Sequence, residues 1–146
     1  MGAKLGLNCK LYRNTGTYGS PTWSEITIAR DVSIPTTMTE ADATIRGFNG
    51  FKASEPALCA LGIDFEIVKD TAQTNYTALS SAYVNRTEVD LAAADGPIAS
   101  SGTTFWRAVC KLFDFSRAEP LDGVEMVTVS AKVCYGSTPP SVTVVP

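Results

Sequence analysis

The 146-residue sequence contains no histidine. Histidine is the usual general base of hydrolytic triads and the commonest metal-binding side chain, so its absence excludes triads and histidine-ligated metals. The cysteines, Cys9, Cys59, Cys110 and Cys134, are far apart and include no CxxC pair. A zinc site would need all these thiolates to converge. We therefore interpret them as buried free thiols within strands, in a reducing compartment.

Long apolar runs and excess positive charge are also missing. No run of about 18 apolar residues is present, and the first ten residues lack the basic-then-apolar pattern of a secretory signal peptide. We therefore expect synthesis in the cytoplasm, without a signal peptide and without a membrane partner. The net charge of −3 and the pI near 4.9 argue against a surface that grips nucleic-acid phosphates.

Alternating polar and apolar residues predict about seven β-strands. The clearest strand is 57–69, where Ile63, Phe65 and Ile67 point one way while Asp64 and Glu66 point the other. Residues 35–39 are interpreted as a break in the strand pattern. The other predicted strands are 3–12, 23–34 as one or two strands, 40–46, 87–95, 104–116, and 124–136 with Tyr135 facing inward.

A single helical pattern occurs at 72–84, where Tyr76, Leu79 and Tyr83 form a narrow apolar stripe that we assign to the core. Asp70 or Thr71 is the predicted cap at its start, and Asn85 is its predicted end. The predicted fold is therefore mainly β: an antiparallel sandwich or barrel with one short flanking helix. We expect one domain over residues 1–138, followed by a Pro-rich extended arm at 139–146 that is either disordered or lies on a neighbouring subunit.

The segment EADATIRGFNGFKASE, residues 40–55, combines a strand-like first half with a turn that has a phenylalanine on each side. Its first half predicts a strand with one charged face, which is either solvated or, like the face of Asp64 and Glu66, lines a channel. Asn49-Gly50 is a local signal for a tight turn. Phe48 and Phe51 flank this turn, where they either pair with each other on their own subunit or contact a neighbouring one.

The motif Asp42-Ala43-Thr44-Ile45-Arg46, followed by Gly50-Phe51-Lys52 and a long strand through Leu61 and Ile63, resembles bacteriophage tail tube proteins, the major tail subunits. The resemblance extends through the helix to the Pro120-Leu121 turn and the strand after it, and so spans most of residues 3–136. It implies a fold related to the inner-tube proteins of contractile injection machines and type VI secretion. It also favours a longer loop around Asn49-Gly50 over a two-residue turn.

The resemblance implies a structural virion protein of the tail, without catalytic residues, metal or cofactors, that self-assembles into stacked hexameric rings. The rings would form a tube that conducts the genome as non-specific cargo and joins other tail proteins, such as the terminator, tape measure, and baseplate or tip. Candidate lumen-facing residues are Glu40, Asp64 and Glu66. Candidate contacts between subunits or rings are Asp42, Thr44, Arg46, Phe48, Asn49, Gly50, Phe51 and Lys52.

The alternative from another class is a small β-sandwich binding module, such as a carbohydrate-binding domain. Trp23, Trp106 and the tyrosines are its candidate platforms. The inward position of Trp106 on its predicted strand counts against this alternative. An acid/base pair of Asp64 and Glu66 is a weaker hypothesis still, because any exposed strand face presents residues two apart.

Overall fold

The computed structural model describes residues 2–136 and 138–146; Met1 and Ser137 lie outside the described residues. The predicted mainly β, antiparallel fold with one short helix is confirmed. The strands number nine rather than about seven, because 23–34 divides into two and the C-terminal segment adds one. The elements are β1 Lys10–Asn14, β2 Trp23–Glu25, β3 Ala29–Ser33, β4 Thr36–Asp42, β5 Ser54–Val68, α1 Thr74–Asn85, β6 Val89–Ala94, β7 Thr104–Ala118, β8 Met126–Val133 and β9 Ser141–Val144.

The strands form one hydrogen-bonded sheet in the order β2-β1-β6-β7-β8-β5-β3, with β4 added to β5 and β9 added to β7. Every pair is antiparallel. The long strand β5 has two partners along the same edge: β3 pairs within residues 64–67, and β4 pairs within residues 54–61. The second half of β5 therefore lies inside the sheet, whereas its first half extends beyond β8.

The core lies between one face of this sheet and α1. Along the second half of β5 and along β8, side chains alternate between buried and accessible, as the period of a strand requires. The helix covers the buried face with Leu79 and Ala82, and Tyr76 and Tyr83 pack on Phe115. The central buried residues are Ile63, Phe65, Ile67, Val127, Val129 and Ala131.

The predicted apolar stripe of α1 is confirmed for Leu79, which is buried, and for Tyr76, which is half-buried, but the core assignment of Tyr83 is wrong, because that ring is 39% exposed. The predicted ends of α1 also differ. Gln73 occupies the N-cap position without a side-chain hydrogen bond, and Asp70 instead accepts a hydrogen bond from the Ala72 N–H at 3.0 Å. The carboxylate of Asp70 thus stabilises a turn that precedes the helix. The helix includes Asn85 and ends at Arg86, which adopts a left-handed conformation with φ 56°.

The prediction of a strand over residues 3–12 is correct only from Lys10 onward and wrong for the residues before it. The first strand begins at Lys10, where pairing with Ala94 of β6 starts, and a 3-10 turn forms over Gly6–Asn8. Leu5 and Leu7 are consequently exposed. The alternation in this segment lacks a partner strand, and a strand without hydrogen-bonded neighbours is not stable.

The end of the chain differs from expectation in two ways. Tyr135 was predicted to face inward, which is wrong: it follows the last residue of β8 and is fully exposed. Within the arm, Ser141–Val144 forms β9 and pairs with β7 from Arg107 to Thr104. The domain boundary at residue 138 adjoins Ser137, outside the described residues, and stays a prediction.

A largely buried ion pair, with 13% of the Arg107 side chain and 11% of the Asp90 side chain exposed, holds the 15–22 loop to the sheet. The Arg107 guanidinium donates to the Asp90 carboxylate at 2.6 Å, and it lies 3.7 Å from the ring centre of Tyr18 and 5.0 Å from that of Trp23. It also donates to the Tyr18 carbonyl at 2.9 Å. The Asn14 amide supplies a second donor to Asp90 at 3.0 Å. Because both charges are satisfied, this cluster fixes the loop against β6 and β7.

Candidate assembly interface

A two-stranded ribbon, residues 36–61, extends from the sheet. Its pairing runs from Thr36 opposite Leu61 to Asp42 opposite Ser54. The prediction that residues 35–39 break the strand pattern is therefore wrong, since β4 begins at Thr36. At about 3.3 Å per residue, the eight residues of β5 in the ribbon span about 26 Å. Every residue of β4 is exposed, as are the first seven of β5, so neither face of the ribbon rests on the core.

A bulge sets the geometry of the ribbon halfway along its length. The register shifts between Met38 and Glu40, and Leu58 lies within the extra length on β5. The Thr39 hydroxyl accepts a hydrogen bond from the Leu58 N–H at 2.9 Å and lies 3.5 Å from the Leu58 carbonyl oxygen. The side chain thus replaces a lost backbone partner and stabilises the bulge.

The strand predicted over 40–46 ends at Asp42. There the carboxylate of Asp42 accepts a hydrogen bond from the Thr44 N–H at 2.9 Å, and the hydrogen bonds from Thr44 lower the pKa of Asp42. The Thr44 hydroxyl then accepts a hydrogen bond from the Ala53 N–H at 3.1 Å. Asp42 and Thr44 therefore close the neck of a loop instead of extending a charged strand face as far as Arg46.

The tip of the ribbon resolves the question raised by Asn49-Gly50. The Phe51 N–H donates to the Phe48 carbonyl at 3.1 Å, and Asn49 and Gly50 adopt φ angles of 53° and 81°. This is the tight turn that the local pattern indicates. It does not join the strands directly, however, because residues 43–53 separate β4 from β5. A tight turn thus forms the end of a longer loop, as the resemblance favoured.

Phe48 and Phe51 contact each other across this turn. Their ring centres are 6.5 Å apart in an edge-to-face arrangement. The pairing leaves 52% of Phe48 and 69% of Phe51 exposed. The cross-turn pairing is present, and it leaves most of both rings free to contact a second molecule.

Sequence reasoning missed the apolar side chains along the rest of the ribbon. Met38 is 64% exposed and Leu58 is 76% exposed, and Ile45 is exposed near the tip. The alternation in 57–69 placed residues on two faces without showing that the first part of β5 has no core beneath it. Exposed apolar groups that run the length of one element mark an interaction surface.

The sheet face opposite the core is polar along β5 and β8, whereas a second apolar cluster of Tyr12, Ala92, Ala94 and Phe105 covers it at β1, β6 and the start of β7. Asp64 and Glu66 lie on it as predicted, and the Ser130 hydroxyl donates to Asp64 at 2.9 Å. Glu40 is not part of this face: it lies on the ribbon beside Ser54, opposite Pro56, eight residues before Asp64. That separation corresponds to about 26 Å along β5.

Neither tryptophan platform of the alternative binding module is free, whereas Tyr135 among the tyrosines is fully exposed. Trp23 is half-buried against Phe105, with ring centres 6.2 Å apart, and the Arg107 guanidinium lies over it. Trp106 packs against the core, as predicted. A concavity of about 530 Å³ is lined in part by Trp106, Val32 and Ile34, but its aromatic walls are half-buried or buried.

The cysteines do not share one environment. Cys110 is buried, and burial raises the pKa of its thiol to about 12. Cys9 and Cys59 are exposed, which contradicts the prediction of buried thiols, and neither Cys9 nor Cys134 lies in a strand. Within residues 2–136 and 138–146, no group of three or more Cys, Asp or Glu is placed to hold a metal ion. No helix in the same residues is long and apolar enough to cross a membrane.

No protein-family model and no curated protein matches the sequence. Solved structures do. A chain from the tail of an empty gene transfer agent particle, refined with C6 symmetry, aligns over 99% of this chain and 100% of its own, with TM-score 0.73 and 10% identity. The SPP1 tail tube aligns over 90% of this chain and 76% of its own, with TM-score 0.74 and 9% identity.

A chain of the anti-feeding prophage baseplate is also similar, over 99% of this chain and 98% of its own, with TM-score 0.68 and 9% identity. At such identities the likeness concerns the fold, and it extends over nearly all of the chain. The fold predicted from the resemblance in sequence is confirmed: this chain has the fold of phage tail tube proteins.

Proposed function

We propose that this protein is a structural subunit of a phage-type tail tube, and that its copies assemble into hexameric rings that stack. The observation that carries the proposal is the ribbon. It exposes apolar side chains along its whole length, and a two-stranded ribbon without a covered face is marginal in water. A neighbouring copy that covers it supplies the missing burial.

In this proposal the ribbon makes the contacts between subunits or rings. Phe48, Phe51 and Lys52 at the tip contact the neighbour directly. Asn49 and Gly50 hold the two rings in place, and Asp42 and Thr44 keep the neck of the loop closed, with Arg46 beside it. Contacts of this kind join different surfaces of identical subunits, so they close into rings within a layer or propagate from one layer to the next, and they do not close a dimer.

The polar sheet face is the proposed lining of the tube. Asp64 and Glu66 present carboxylates there, and like charge weakens the adhesion of nucleic-acid phosphates to a channel wall. Glu40 belongs to the proposed contact surface on the ribbon, because it lies far from this face. The passing cargo in this proposal is DNA, and the protein acts through geometry and not as an enzyme.

The proposed location is the virion tail, after synthesis in the host cytoplasm. The ends of such a tube require other tail proteins, for example a terminator at one end and a baseplate or tip at the other, and a tape measure protein inside. The resemblance of this fold to chains of assembled tails and of a baseplate supports these partners.

Sedimentation velocity and negative-stain imaging of the purified protein test the proposal. Rings or tubes that grow with protein concentration are the expected result. The contrary result is a strict monomer at high concentration that is retained on a glycan matrix, which would support the carbohydrate-binding alternative.

A further inference from the structure

A basic and apolar surface lies on β7, β8 and the end of α1, and it reaches the base of the ribbon, where Lys132 pairs with Gly62. We call it the basic patch: Lys111, Phe113 and Lys132 of the sheet together with Tyr83, Val84 and Arg86 at the end of α1. Five of these residues, with Leu112, line a groove of about 470 Å³. Lys132 adjoins them because its ammonium lies 5.5 Å from the ring centre of Phe113.

Two cations of the basic patch, Lys111 and Lys132, lie close together. Lys111 and Lys132 are directly opposite each other on neighbouring antiparallel strands, an arrangement that places their Cβ atoms about 5 Å apart. Like charges in such a pair repel each other. Among the described residues, neither lysine nor Arg86 takes part in an ion pair. An acidic ligand would relieve this repulsion.

Apolar exposure accompanies the charge. Phe113 is 59% exposed and Val84 is 71% exposed. Strand β6 pairs with β7 only as far as Cys110, so in the described chain the edge of β7 from Lys111 onward has no strand partner on that side. The patch therefore offers cations, apolar groups and free backbone groups together, which suits a strand-like partner with acidic and apolar side chains.

The ribbon has this chemistry. We call the paired part of the ribbon, residues 36–42 and 54–61, its shaft. Glu40 and Glu55 lie on opposite faces of the shaft, near Met38 and Leu58. Glu40 accepts a hydrogen bond from the Ser54 hydroxyl, which orients its carboxylate and leaves other lone pairs free. The shaft carries Glu40, Asp42 and Glu55 but no lysine or arginine, because Arg46 and Lys52 lie in the loop beyond it.

We infer that the basic patch is the receiving site for the ribbon of a second copy of this chain. Glu40 and Glu55 approach Lys111, Lys132 and Arg86, while Met38 and Leu58 cover Phe113 and Val84. This inference rests on the proposed function and adds the surface that the ribbon contacts. Nucleic-acid phosphate is the other acidic ligand that the test below distinguishes.

Charge reversal tests the pairing. One variant carries Glu40→Lys with Glu55→Lys, and the other carries Lys111→Glu with Lys132→Glu. Each alone should raise the protein concentration needed for assembly by at least about tenfold, because attraction becomes repulsion at the same contact. Mixed one to one, the variants should assemble together, since every ribbon then meets a patch of opposite charge.

Two controls match the changes in charge: Asp31→Lys with Asp122→Lys, and Lys4→Glu with Arg30→Glu, all at exposed positions. These variants should assemble like the unchanged protein, and thermal melts should show that all four variants fold. The inference is overturned if either test variant assembles normally, or if the mixture stays unassembled. It is also overturned if the patch variant assembles normally but loses binding of a DNA oligonucleotide, which would make the patch a phosphate site.

These outcomes separate the inference from the proposed function. If the unchanged protein and the patch variant both assemble normally, only the inference about the receiving site is refuted. Failure of the unchanged protein to assemble under any condition removes both.

Discussion

Replacing Phe48 and Phe51 by Ser should block assembly while leaving the subunit folded. Within the subunit, each ring loses mainly its contact with the other, 6.5 Å away between ring centres. Such an aromatic pair is worth about 0.5–1.5 kcal/mol. We therefore expect the free energy of unfolding to fall by about 1 kcal/mol.

The loss to assembly is larger, because 52% of Phe48 and 69% of Phe51 remain exposed in the isolated subunit. Taking about 200 Å² for a whole phenylalanine, these fractions amount to about 240 Å². If a neighbouring copy buries all of this area, the burial contributes about 6 kcal/mol to assembly, at about 25 cal/mol per Å². Half cover is worth about 3 kcal/mol, which corresponds to about a hundredfold in the concentration needed for assembly.

Pelleting of assembled protein over a concentration series measures this threshold, and urea unfolding of the monomer measures stability. Tyr135→Ser is the matched control, because Tyr135 is fully exposed and lies outside the ribbon. The reasoning is refuted if the double variant assembles at the threshold of the unchanged protein. It is equally refuted if unfolding loses more than about 3 kcal/mol, a cost typical of removing a phenylalanine from a core.

Three further predictions concern the rest of the subunit. Arg107→Ala should lower the free energy of unfolding by about 3 kcal/mol in urea titrations, because it leaves the largely buried carboxylate of Asp90 with only the Asn14 amide as donor. A loss below about 1 kcal/mol would show that the pair is not important for stability. A maleimide should label Cys9 and Cys59 quickly in the monomer and Cys110 only on unfolding, since burial raises the pKa of the Cys110 thiol to about 12; peptide mapping checks this, and fast labelling of Cys110 would contradict the buried assignment. The hydrogen bond and charge of Glu25 raise the pKa of Lys10 above its usual 10.5, so the stabilisation by this pair is present below pH 10.5 and lost as pH rises through the higher folded pKa. The urea midpoints of the unchanged protein and of Lys10→Met should therefore converge as pH rises through that folded pKa, and a constant difference would refute the linkage.

Sequence patterns predicted the interior of this fold well. The second half of β5, together with β7 and β8, shows the expected alternation because one face of each strand packs on the core. The apolar stripe of α1 was found for the same reason. Where burial on one side fixes the pattern, the pattern identifies the element.

Sequence patterns did not predict the structure of the ribbon or of the residues before Lys10. Alternation in residues 3–12 and in 40–46 predicts strands equally well, but only a hydrogen-bonded partner makes a strand, and partners depend on the rest of the fold. The resemblance predicted contacts at residues between Asp42 and Lys52, and these contacts stay a prediction. It could not identify Met38 and Leu58, because their exposure follows from β5 extending beyond β8.

The central claim is that a neighbouring copy covers the ribbon when the protein assembles. A cryo-EM map of the assembled protein tests it most directly. The predicted result is a stack of six-fold rings in which residues 36–61 are buried against another copy, with Asp64 and Glu66 facing the channel. Assemblies in which the ribbon projects freely into solvent would contradict the claim.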